Sequence, residues 1–107
     1  MSIEMCTGKS IQIIINSTFE NKLIQILKKN GLTGYTQLSA RGDGTSGVQD
    51  GHSEGESNVM FIVLASDSAT RSLLEELNKY RKMGYHIFVY THQAEVLNSD
   101  KIENICK

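Results

Sequence analysis

The sequence predicts an α+β domain in the order β-α-β-β-α-β, the ferredoxin-like arrangement: an antiparallel four-stranded sheet with two helices on one face. Three observations predict it. Four runs rich in β-branched and aromatic residues alternate with two runs of helical spacing in that order. Glycine follows the end of each helical run, at Gly31 and Gly84. The length, 107 residues, suits a single core.

The first strand is expected over Ser10–Asn16, a short apolar run with four isoleucines. Ser17 and Glu20 have the spacing of a capping box. Phe19, Leu23, Ile24 and Leu27 then recur at helical intervals, and Lys28 and Lys29 fall in the last turn before Asn30-Gly31. Thr33–Ala40 alternates as a second strand does. Residues 42–57 break the pattern: five of the nine glycines lie there, and Val48 is the stretch's one aliphatic residue. Such a segment cannot pack a core and reads as a long functional loop. Asn58–Ala65 is a third strand whose continuous apolar character predicts burial on both faces or at an interface. Asp67 or Ser68 is expected to cap a second helix carrying Leu73, Leu74, Leu77 and Tyr80 on its buried side. A fourth strand is expected over Tyr85–Thr91, with Ala94–Leu97 as its extension. The tail, 98–107, is polar. The bare face of so small a sheet needs a cover, and further copies of the chain provide the simplest one.

Composition narrows the function classes. Hydrophobic residues make up 39% of the chain, an ordinary share for a globular protein. Eleven basic residues against twelve acidic ones leave a net charge of −1, which argues against binding a nucleic-acid polymer. No apolar run approaches the roughly 20 residues that cross a bilayer. Met1–Ser10 has no apolar signal core, so a cytoplasmic location is expected. In that reducing setting Cys6 and Cys106 are expected as two free thiols, with a redox-sensitive clasp between the termini as the other reading.

Several motifs are set aside. Gly8-Lys9-Ser10 resembles the end of a P-loop, but Ile3 stands where the first glycine belongs, and the tripeptide precedes a strand rather than a helix. Arg41-Gly42-Asp43 spells an adhesion tripeptide, a coincidence in a cytoplasmic chain. Neither a nucleophile elbow nor a Cys–His signature is present, and no carboxylate pair sits on rigid elements, so no enzyme is expected. Asp50, His52, Glu54 and Glu56 recur at every second residue and offer a metal-binding reading beside that of a solvated loop. His86 and His92 read as residues on or beside the last strand.

The sequence resembles PII-type signalling proteins in their divergent, PII-like branch. The resemblance rests on Gly31-Leu32-Thr33-Gly34-Tyr35-Thr36, on Gly42-Asp43-Gly44 with the polar stretch after it, and on the strands Val59–Leu64, Ile87–Tyr90 and Ala94–Leu97. It implies one domain spanning 1–107, a homotrimer around a central barrel, and a protruding T-loop at 42–57. It also implies an inter-subunit cleft, usually for an adenine nucleotide, involving Gly34, Thr36, Gly42, Gly44, Thr45, Ser46, Val63 and His86. Gly47, Val48, Gln49, Asp50, Gly51 and His52 would belong to the part of the loop that meets a target enzyme or membrane transporter. No resident cofactor is implied, only an effector. The chain departs from nitrogen-regulatory members in having Thr45 for an arginine, His86 for a lysine, and Asn98, Ser99 and Asp100 where further arginines are expected. Each lost cation removes a charge-assisted contact to phosphate worth roughly 1.5–3 kcal/mol, which favours a ligand with few phosphates. The expectation is a ligand-sensing regulator, with a metal-responsive trimer or a ligand-free assembly trimer as alternatives.

Overall fold

The computed structural model describes residues 3, 5–44, 47–49 and 57–97. Strand β1 (Cys6–Asn16) runs into a 3-10 turn and then helix α1 (Glu20–Lys29). Strand β2 (Tyr35–Ala40) follows, then a small hairpin of β3 (Gly42–Gly44) and β4 (Gly47–Gln49). Strand β5 (Asn58–Ala65), helix α2 (Asp67–Lys82) and strand β6 (Ile87–Val96) complete the order. The main sheet is antiparallel with order β2-β5-β1-β6, the ferredoxin-like topology.

Alternation along the strands divides the sheet into two faces. Ile11, Ile13 and Ile15 of β1 and Val59, Phe61, Val63 and Ala65 of β5 point to the helices and are buried. They meet Phe19, Leu23, Ile26 and Leu27 beside α1, and Leu73 and Leu77 of α2. Each such side chain taken from water contributes about 1.5–3 kcal/mol before the cost of ordering it. Phe19, Tyr80 and Tyr85 form an aromatic trio with centroid separations of 5.4, 5.0 and 5.8 Å, and Lys22 lies over the Tyr80 ring. The two helices are tied at one junction. Lys29 Nζ bonds Glu76 Oε2 at 2.9 Å, Asn30 Nδ2 donates to Glu76 Oε1 at 3.3 Å, and Ser72 Oγ donates to Asn30 Oδ1 at 2.7 Å.

The opposite face carries three ordered rows of side chains. One row is Leu38, Met60, Ile14 and Phe88; the next is Thr36, Ile62, Gln12 and Tyr90; the third is Leu64, Ser10 and His92. No Asp, Glu, Lys or Arg stands in these rows. Phe88, Tyr90 and Leu38 are 61%, 44% and 43% exposed, so this face is apolar and open.

Several local expectations are corrected. Strand β1 begins at Cys6 instead of Ser10, because register with β6 continues to Cys6↔Val96. The capping box is not formed: Asn16 Oδ1 accepts from Thr18 N–H, while Ser17 Oγ accepts from Ser57 N–H at 3.2 Å. Ile26 is buried in the place expected for Ile24, and Ile24 is half-buried. Helix α2 is capped by Ser66, whose Oγ accepts from Ala69 N–H at 3.2 Å, and neither Asp67 nor Ser68. The stretch 42–57 is not featureless, since β3 pairs with β4. Strand β5 is fully buried on its helix side, whereas Met60, Ile62 and Leu64 are half-buried on the open side. Cys6 is disulfide-bonded and not a free thiol; Cys106 lies outside the described residues.

Candidate functional site

Strands β2 and β6 are the outer strands of the sheet, each paired on one side among the described residues. Two groups of expected ligand residues lie at these edges. Gly34 and Thr36 belong to the start of β2; both are exposed. Gly34 has an ordinary φ and nothing within 4 Å of an added Cβ, so packing does not demand a glycine there. The missing side chain instead leaves the backbone open to close approach.

His86 is exposed and immediately precedes β6, at the other edge. The base of the 42–57 segment lies level with it along the strands, but at the β2 edge. Ala40 pairs with Asn58 there, and Gly42 pairs with Gln49 as the hairpin leaves. The returning leg is fixed to the β1–α1 turn, since Ser17 N–H donates to Ser57 O at 2.6 Å and Ser57 N–H donates to Ser17 Oγ.

Three strand spacings of about 4.8 Å separate β2 from β6. One protomer therefore does not bring Thr36 and His86 together. Val63 does not join either group. Strand parity turns it toward the helices, where it is 1% exposed, and its backbone is paired to both Tyr35 and Ile11. The β5 residues that share the side of Gly34 and Thr36 are Leu64 and Ile62, both half-buried. Alternation along β5 places their side chains on that side and the Val63 side chain on the other. Gly44 pairs with Gly47 in the hairpin, with Val48 opposite Asp43. Thr45, Ser46, Asp50, Gly51, His52, Glu54 and Glu56 lie outside the described residues, as do Asn98, Ser99 and Asp100. Among the described residues no three His, Cys, Asp or Glu side chains gather as a metal site.

A groove of about 740 Å³ lies on the helix side of β6, and no motif in the chain announces it. Lys9, Arg71 and Arg81 line it together with Asp67 and Glu75, over a floor that includes Leu77, Ile87 and Val89. Charges of both signs leave it without a marked preference for anions. None of the expected ligand residues is among the described residues that line it. Among the described residues, no helix is long and apolar enough to cross a membrane.

A ferredoxin-like unit with a loop hairpin at one end and open sheet edges defines a class of small binding domains, and the comparisons specify which. The family model described as nitrogen regulatory protein P-II matches residues 8–101, and the chain belongs to that family. Its fold is similar to that of CPII, a nitrogen regulatory PII-like protein from Thiomonas intermedia K12 solved with ADP, AMP and bicarbonate. The TM-score is 0.85 at 23% identity, covering 94% of this chain and 98% of that one. A PII-like signalling protein from Thermus thermophilus superposes with a TM-score of 0.76 at 23% identity, covering 94% and 99%. The B. subtilis GlnK–ATP complex gives 0.56 at 23% identity, covering 80% and 82%. No curated protein matches significantly. The protein is thus a PII-like regulatory protein.

Proposed function

We propose that the protein is a small-molecule sensor working as a homotrimer, with its ligand held between copies and its state reported to a target enzyme or transporter through residues 42–57. The observation that carries this reading is the division of the expected ligand residues between opposite edges of one sheet. Gly34, Thr36 and the loop base form one half-site at the β2 edge, and His86 beside β6 belongs to the other. A second copy placed edge to edge completes what a single chain leaves divided. The open, uncharged face supplies the surface along which copies meet.

The ligand favoured is an adenine nucleotide with few phosphates. CPII was solved with ADP and AMP, and GlnK with ATP. Thr45 and His86 replace cations at the phosphate end, so this chain has less charge to offset a triphosphate. Binding would order or redirect the loop only to the extent that the ligand prefers one loop state over another. Its role is regulatory and not catalytic.

Titration calorimetry with ATP, ADP, AMP and cyclic AMP tests the proposal. AMP or ADP should bind more tightly than ATP, and Gly34→Ala should weaken binding while leaving the fold intact. Absence of binding by all four at millimolar concentration would overturn the nucleotide reading.

A further inference from the structure

Among the described residues, the open sheet face carries one imidazole, His92. It sits in the middle of β6, opposite Ser10 of β1 and in the row that continues to Leu64 of β5. Tyr90 and Ala94 flank it on the same side of β6. The other titratable side chains described on this face are the Tyr90 phenol and Cys6, which is held in a disulfide, and neither is a carboxylate. Lys9 and Glu95, the nearest charges along the two strands, alternate to the helix side, where Lys9 pairs in register with Gln93. Within the described residues, no carboxylate faces His92 from any strand of the sheet.

Among the described residues this face presents no Asp, Glu, Lys or Arg to a charged partner, and a second copy presents the same uncharged rows. A buried amide strengthens the case for a like surface. Gln12 is 6% exposed, and its Oε1 has no hydrogen-bond partner, an acceptor that a facing polar group would satisfy. We infer that His92 is a proton-sensitive latch on self-association, permitting contact between copies when neutral and opposing it when protonated. This rests on the open face being the contact between copies, as proposed above.

The physical reason is desolvation. An imidazolium carried into an uncharged seam loses its hydration and gains no counter-ion. Assembly therefore favours the neutral ring, and dissociation takes up protons. The sign follows: assembly is strongest above the range in which free histidine titrates, and weakens as pH falls through it.

Sedimentation measured from pH 8.0 to 5.5 with the full chain tests this. The expected result is a trimer at pH 8.0 whose dissociation constant rises by at least about tenfold toward pH 5.5, with the rise abolished in His92→Gln. Retention of the same pH dependence by His92→Gln would overturn the inference, as would a wild-type trimer of unchanged affinity across the range. A monomer at every pH would instead overturn the trimeric reading beneath it. Circular dichroism at each pH separates dissociation from unfolding.

Discussion

Gln12 Nε2 donates to Ser10 Oγ at 2.6 Å across two residues of β1, leaving Gln12 Oε1 buried without a partner. A polar pair at the centre of an apolar face costs free energy unless something on the other side completes it. In the assembled protein that acceptor is expected to gain a donor. Gln12→Leu should then lower the stability of the assembly by about 1–3 kcal/mol per protomer in concentration-dependent urea unfolding. A gain in stability would show that the acceptor stays unpaired.

Gly31 and Gly34 separate backbone need from ligand need. Gly31 ends α1 with φ +73°, a conformation that disfavours side chains although the space around it is open. Gly31→Ala should cost about 1–2 kcal/mol in equilibrium unfolding. Gly34→Ala should leave stability within about 0.5 kcal/mol and show its effect in ligand affinity.

Ser66 closes the first turn of α2 by accepting from Ala69 N–H, and its carbonyl also accepts from Thr70 Oγ1. Ser66→Ala removes the first of these bonds and keeps the second. The expected loss is about 1 kcal/mol, read from the urea midpoint at constant slope.

The Lys29–Glu76 pair sets pH limits on the junction between the helices. The hydrogen bond from Lys29 holds the Glu76 carboxyl below its ordinary 4.5, and the same bond holds the Lys29 ammonium above its ordinary 10.5. The contribution of Glu76 is therefore present above pH 4.5 and is lost as pH falls through the lowered folded value. That of Lys29 is present below pH 10.5 and is lost as pH rises through the raised one. Glu76→Gln should flatten the acid limb of the thermal stability profile between about pH 5 and about pH 3, with little effect near neutrality. An acid limb identical to that of the wild type would show that the pair contributes nothing measurable, as many exposed pairs do.

The order of elements was legible because apolar spacing and glycine punctuation act locally. Isoleucines at 11, 13 and 15 and leucines at 73 and 77 report their own periodicity. Caps were less legible. Asn16, Ser17, Ser66, Asp67 and Ser68 are all competent, and the choice depends on where the neighbouring strands end: Ser17 Oγ is taken by Ser57, which lies 40 residues away. The candidate site comes from a resemblance, as a set of residues without a shape. Gly34 and His86 are named by that resemblance, whereas their separation to opposite edges follows from strand order. The burial of the Val63 side chain likewise follows only from strand parity and sheet order.

Strand β6 is ten residues long, and the chain contains no proline, so this outer strand lacks one of the usual guards against adding a foreign strand. Head-to-tail joining of such an edge to β2 has two geometric outcomes: a circle that consumes every free edge, or a fibre that always offers one more. The rotation between neighbouring copies decides between them. If copies join as proposed, angular closure at the seams is what separates a particle of fixed size from unlimited polymerisation.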